Sequence, residues 1–378
     1  MVEEKKQHPN YSPGLEGVVA GISKISRVDP EKQVLTLRGY DATELAQKSS
    51  FEEAAHLLVV GNMPNKAELV EFKKALNLGG NLTPELIAAL KQLPKTTHPM
   101  DALRTGVSFL SGYDTHLDDL SHDANVKRAV RLLGATPEIM AASWRILNGK
   151  EPIKPKAELS YAANCLYMTL GEVPDALTEK TFNASLILYA EHGFNASTFA
   201  ARVTASTLAD MYCCVTGAIG TLKGSLHGGA NEEAMHMLLE VPSIEFAEAR
   251  VLKAIANKEK LMGFGHRVYK KGDSRVPTLK ALGSAFAEAK GDTKWRDIAQ
   301  KMEEVMIREK NIHPNVDFPS AWIYYQMGIP IPLYTPIFAV ARMSGWTAHI
   351  IEQHDNNRIM RPTSIYEGPE YKHYSALN

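Results

Sequence analysis

Three cysteines in a chain of 378 residues are too few for a disulfide framework. Cys213 and Cys214 are adjacent and do not bridge each other, Cys165 stands apart, and no CxxC occurs. That is a reducing-compartment pattern, so all three thiols are expected to be small buried apolar groups. Charge of one sign is also missing. A formal net charge of −1 gives no general attraction to nucleic acid or anionic membrane, so local basic residues must handle any anionic ligand. The opening MVEEKKQH is charged and has no apolar core, so no secretory signal is expected and the cytoplasm is the expected location. The most apolar stretch, residues 196–220, contains Arg202 and Asp210. Each would cost several kcal/mol at the centre of a bilayer, so a buried helix is expected there and not a membrane span. HExxH, GxSxG and Walker patterns are absent, as are fixed-period repeats and low-complexity linkers.

What is present is mostly helical periodicity. Residues 22–38, ISKISRVDPEKQVLTLR, predict a small hairpin turning at Asp29-Pro30-Glu31-Lys32. Thereafter Ser49-Ser50 precedes FEEAAHLLVV, Asn65 opens a helix ending near Gly79-Gly80, and Thr83-Pro84 reads as a cap with proline in the first turn. Further helices are predicted over 100–110, 126–147, 182–192, 197–219, 244–260 and 336–353. No strand–helix alternation occurs, which excludes a parallel-sheet fold. The expected class is all-α, mainly helical, in two domains with a small N-terminal β hairpin. Glycine-rich turns at 217–229 and 328–332 divide it into a large unit, 1–222 with 334–378, and a smaller unit, 223–333.

Three short segments stand out chemically. GSLHGGANEE from Gly224 places His227 between glycines and ahead of a helix expected from Asn231. The positive end of that helix would keep the imidazole neutral, though a glycine turn with a polar cap fits the same residues. GFGHRVYKKGDSR from Gly263 carries His266; its GxG lacks the later glycine of a dinucleotide fingerprint, and a helix C-cap is the plain alternative. NVDFPS from Asn315 sets Asp317 beside a helix start marked by Pro319. With an ordinary carboxylate pKa of ~3.9 it would be ionised and able to act as a base, or simply a helix-start charge. Arg342 lies among apolar residues at helical spacing and needs an anion, whether substrate or internal partner. Arg275 and Arg361 precede Val276-Pro277 and Pro362 in positions expected to be extended. The acidic and histidine residues between His116 and Asp123 resemble a metal cluster only in composition, so no metal site is expected.

Together these segments resemble the citrate synthase family, from GLEGVVAGISKIS at Gly14 to NNRIMRP ending at Pro362. AEHGFNAST from Ala190, LKGSLHGGANEEA from Leu222, GFGHRVYK from Gly263, HPNVDFPS from His313 and TPIFAVARMSGW from Thr335 fall in family order and spacing. The resemblance implies a helical homodimer whose small domain closes over oxaloacetate and acetyl-CoA. It implies His227, His266 and Asp317 as catalytic groups and His192 as an oxaloacetate contact. Arg275, Arg342 and Arg361 would bind carboxylates, with Arg361 reaching the neighbouring subunit's site. Lys260, Leu261, Met262, Gly263 and Phe264 match the coenzyme A loop; the thioester is a co-substrate and no tightly bound cofactor is implied. Many members carry an aromatic where this chain has Pro319, which leaves acyl preference open. The extra N-terminal region of longer hexameric members is missing, so a dimer without their NADH regulation is expected. The rival readings are a 2-methylcitrate synthase using propionyl-CoA, a non-catalytic polycarboxylate-binding helical protein and a metal-dependent lyase.

Overall fold

A computed structural model of the chain describes residues 11–80, 82–265 and 272–374. The hairpin forms β1 (Ser26–Asp29) and β2 (Val34–Leu37), and Tyr40–Asp41 adds a short β3 in an antiparallel sheet of order β1-β2-β3. Ser26 pairs with Leu37 and Asp29 with Val34. The predicted turn closes where Asp29 Oδ1 accepts the Lys32 N–H at 3.0 Å. Leu35 and Leu37 alternate with half-buried residues, as a strand with one face on the core requires.

Helices make up the rest, and short polar side chains start most of them. In chain order they are α1 (Ala42–Lys48), α2 (Phe51–Val60), α3 (Lys66–Gly79), α4 (Pro84–Lys91), α5 (Pro99–Phe109), α6 (His122–Leu147), α7 (Tyr161–Leu170) and α8 (Ala176–Tyr189). There follow α9 (Ala196–Ala205), α10 (Met211–Leu222), α11 (Ala230–Leu239), α12 (Ile244–Ala256), α13 (Val276–Lys290), α14 (Lys294–Lys310), α15 (Asp317–Gln326) and α16 (Tyr334–Asp355). Ser50 with Glu53 and Asn65 with Glu68 form reciprocal capping boxes, and Thr83 accepts the Leu86 N–H. Each such cap satisfies helix-end donors that would otherwise be orphaned.

The structure corrects several sequence expectations. The helix expected over 197–219 is two helices. Leu208 turns the chain at φ 63°, and Asp210 then caps α10 by accepting the N–H groups of Tyr212 and Cys213. The helix expected to reach His192 stops at Tyr189, freeing a loop at 190–195. The one expected to reach Lys260 stops at Ala256, before Lys258 at φ 56°. The sequence reading has no counterpart for α1, α7, α13 or α14. Cys165 and Cys214 are buried as expected, but Cys213 is exposed because it occupies the outer face of α10. Between His116 and Asp123, polar groups brace a neighbouring helix. Arg128 donates to Asp114 Oδ2 at 2.8 Å and to the carbonyls of His116 and Asp119.

α16 runs through the centre, buried along almost its whole length, and packs on α6, α9, α2, α10 and α8. Helices α11 to α15 pack on one another, with α12 on α14 and α11, α13 and α14 on α15. This group meets the rest where α13 rests on α8 and α11 on α16. No described helix is long and apolar enough to cross a membrane.

Candidate active site

The end of α8, the loop 190–195 and the middle of α16 come together at Arg342. Its Nε donates to the Tyr189 carbonyl at 2.7 Å, and its guanidinium lies over the Phe338 ring at 4.7 Å. Nη1 has no hydrogen-bond partner among the described residues, although the side chain is only 1% exposed. Burial pulls its pKa down to about 10, which leaves it cationic at neutral pH. A buried guanidinium with one arm unsatisfied is costly unless an anion completes it. The internal salt bridge allowed by the sequence reading is not formed among the described residues: Arg342 contacts a carbonyl and a ring, and Glu191 acts on it as a nearby charge.

Asp317 is the first residue of α15 and is 9% exposed. The Tyr189 hydroxyl donates to its Oδ1 at 2.7 Å, a link between residues 128 apart in the chain. Burial raises the carboxyl pKa to about 6, while the Tyr189 hydrogen bond and the charges of Arg275 and Arg342 pull the other way. This corrects the expectation of an ordinary carboxylate. The group is poised close to neutrality, where a general base takes and releases a proton most effectively.

His227 sits in the turn before α11. The Ser197 backbone N–H, in the first turn of α9, points at Nε2 at 3.2 Å, and Ser197 Oγ lies 2.8 Å from the same atom. An amide N–H only donates, so Nε2 accepts and the ring proton resides on Nδ1. Ser197 is itself fixed by the Trp346 indole N–H at 3.1 Å and by Asn195 Oδ1 at 2.8 Å. Burial, then the charge of Arg342, lowers the imidazole pKa to about 4. The ring is neutral as expected, but desolvation and a nearby cation are responsible in place of a helix end.

Arg275 is buried and helical in conformation, φ −79° and ψ −26°, where the sequence suggested an extended surface position. It grips Asp273 with two hydrogen bonds, Nε to Oδ1 at 2.9 Å and Nη2 to Oδ2 at 2.7 Å. Nη1 donates to the Leu188 carbonyl at 3.3 Å. Asp273 also accepts the Val316 N–H at 3.2 Å, next to Asp317. Burial opposes ionisation of Asp273, but Arg275 outweighs it and holds the carboxyl well below the usual range, with His192 adding to the effect. His192 therefore belongs to the same cluster.

The proposed coenzyme A loop packs beside Asp317. Phe264 stacks on Phe318 at 4.5 Å, and Asn315 N–H donates to the Gly263 carbonyl at 2.9 Å. Gly263 has φ 81°, and a Cβ there would come within 2.8 Å of Phe318 Cβ, so glycine is required on two counts. Leu261 is buried, Met262 half-buried and Lys260 exposed. His266 lies outside the described residues. Arg361 is exposed and makes no hydrogen bond or ion pair among the described residues. Two small cavities of about 30 and 40 Å³ lie elsewhere, beside Glu138 and Glu52.

The geometry thus unites Asp317, His227, Arg275, Arg342 and His192. It adds Tyr189, Ser197 and Asp273, which the sequence reading missed. Ser197 and Asp273 lie inside the segments AEHGFNAST and GFGHRVYKKGDSR and so had a local signal, whereas Tyr189 did not. Tyr189→Phe removes a bond that favours the carboxylate, so the Asp317 pKa is expected to rise. A base must be ionised to act, so the acid limb of kcat, expected at about pH 6, moves to higher pH by about one unit. A pH–rate profile of both proteins checks this.

A family model described as citrate synthase, C-terminal domain, matches residues 14–363. The citrate/2-methylcitrate synthase of Bacillus subtilis (strain 168) is 48% identical over 370 residues, 98% of this chain and 99% of the relative. The crystal structure of citrate synthase from Thermotoga maritima MSB8 superposes with a TM-score of 0.86 at 40% identity, covering 96% of this chain and 97% of its own. The enzyme of the thermophilic archaeon Thermoplasma acidophilum, solved as a ternary complex with carboxymethyl coenzyme A and oxaloacetate, gives a TM-score of 0.92 at 32% identity, covering 97% and 98%. With a family match over most of its length and close relatives spanning nearly all of it, the chain belongs to the citrate synthase family.

Proposed function

We propose that this chain is an acyltransferase that condenses acetyl-CoA with oxaloacetate and water to give citrate and free coenzyme A. The observation that carries the reading is one buried cluster holding a carboxylate of pKa about 6, a neutral imidazole with its proton on Nδ1, and a guanidinium with an unfilled arm. Asp317 takes a proton from the acetyl methyl group. His227 Nδ1–H donates to the thioester oxygen as charge builds there, a contact typically worth about 3–4 kcal/mol in a dry site. The enol carbon then attacks the ketone carbon of oxaloacetate. His266 has the family role of delivering the proton that turns the ketone oxygen into a hydroxyl. Water cleaves the citryl thioester and releases the thiol. Arg342, Arg275 and His192 hold the oxaloacetate dianion, and a bidentate guanidinium fixes orientation as well as charge.

Residues 260–264 take the coenzyme A thioester as co-substrate, with no resident cofactor. Tyr189 and Asp317 belong to different units of the proposed division, as do Leu188 and Arg275. Because the cluster is almost closed to solvent, substrates enter when the 223–333 unit swings away from the large unit formed by 1–222 and 334–378. Closure then excludes water before enolisation. The exposed Arg361 serves the partner subunit of a cytoplasmic homodimer.

Thiol release with citrate identified as product tests the reaction. The same assay with propionyl-CoA separates this reading from 2-methylcitrate synthesis, which the printed name of the Bacillus subtilis relative also includes. One methylene in a pocket changes kcat/KM by about 10–200-fold. The expected result is a kcat/KM for acetyl-CoA at least about tenfold above that for propionyl-CoA. The reverse order would assign the chain to the methylcitrate reaction.

A further inference from the structure

We propose that Ser26, on the N-terminal hairpin, is a positioning residue for His192 and thereby for oxaloacetate. The inference rests on the oxaloacetate reading above. Ser26 Oγ donates to Glu191 Oε1 at 2.9 Å and accepts the Gly193 N–H at 3.1 Å. One hydroxyl thus holds both chain neighbours of His192. Gly193 has φ 60°, so this loop turns through a conformation that few residues adopt unaided.

A buried polar chain fixes Glu191 from the other side. Its side chain is 0% exposed, and Oε1 also accepts from His349 Nε2 at 2.9 Å. Arg202 Nη1 lies 3.0 Å from His349 Nδ1. Guanidinium nitrogens only donate, so Nδ1 accepts and the ring proton sits on Nε2, facing Glu191. Arg202 is anchored by Glu352 Oε2 at 2.7 Å and by the Phe194 ring at 4.7 Å. Glu352 Oε1 in turn accepts the Lys24 N–H at 2.7 Å, two residues before Ser26. The start of the hairpin is therefore pinned to α16 at Lys24 and to the His192 loop at Ser26. Burial opposes ionisation of Glu191, but His349 and Arg342 outweigh it and keep the carboxyl below its ordinary value. Glu191 is thus a fixed anion between the His192 loop and the Arg342 arm, and Ser26 is the smallest part of the device that can be removed without deleting a charge.

The test compares Ser26→Ala and Ser26→Thr with wild type by steady-state kinetics, and by calorimetric binding of oxaloacetate without acyl-CoA. Ser26 is half-buried, so alanine leaves little cavity. For Ser26→Ala the expected result is a rise of about tenfold in both KM and Kd for oxaloacetate, near the upper range for one hydrogen bond. KM for acetyl-CoA stays within about twofold, and threonine restores both oxaloacetate constants. An active wild type whose alanine variant keeps its oxaloacetate affinity overturns the positioning role alone. Equal losses for both substrates also overturn it, because they mark a general structural defect. A wild type that neither binds oxaloacetate nor releases thiol overturns the parent reading, and this one with it.

Discussion

Replacing Asp317 by alanine is expected to cut kcat by about a thousandfold while oxaloacetate binding stays within about threefold of wild type. A positioned general base contributes about 10²–10⁴ in rate, and Asp317 is the carboxyl in the cluster whose pKa lies near neutrality. Asp273 cannot substitute, because Arg275 grips both of its oxygens. Thiol release measures the first quantity and calorimetry the second; unchanged turnover would remove Asp317 from the mechanism. Asparagine gives a second readout. The folded pKa is raised from 3.8 to about 6, so the carboxyl is protonated below that value and its ionisation penalises the fold as pH rises through it. Asp317→Asn should therefore gain stability relative to wild type between about pH 5 and pH 8, by up to ~3 kcal/mol. Loss of activity with a gain in stability separates a catalytic carboxylate from a structural one.

Arg342→Gln is expected to raise KM for oxaloacetate by about two to three orders of magnitude, with little change in KM for acetyl-CoA. Truncating one member of a buried charge pair costs about 2–5 kcal/mol, and Nη1 is left unfilled by the protein itself. The Tyr189 carbonyl loses its donor as well, so thermal unfolding of the variant should accompany the kinetics. Oxaloacetate affinity that survives the change would show that the unfilled arm faces something other than substrate.

How much of this was legible in the sequence depended on distance along the chain. Helix starts at Ser49-Ser50, Asn65 and Thr83-Pro84 are local, and they were read correctly together with the hairpin and the all-helical class, although the reciprocal Glu53 and Glu68 bonds were not. The break at 206–210 was hidden because Asp210 was weighed as a charge against membrane insertion and not as a helix cap. Asp317 and His227 were found through their motifs, but their proton affinities were not. The pKa near 6 comes from burial, and the neutral His227 from burial and from the charge of Arg342, which is distant in the chain. Tyr189 gave no local sign, since its role exists only once α8 meets α15.

The central helix leaves one further consequence. Phe338, Arg342, Gly345, His349 and Glu352 on α16 meet, in turn, the Tyr189 ring, the Tyr189 carbonyl, the loop backbone at Ala190, the Glu191 carboxylate and the Lys24 N–H just before the hairpin. Their steps of four and three residues keep them on one stripe. Inserting or deleting a single residue within that span would rotate everything beyond it by ~100° and swing half the stripe away from the cleft. Length variation in this part of the chain is thus confined to the ends of the rod, and because its other faces are buried as well, point changes along them are limited to those that keep the packing.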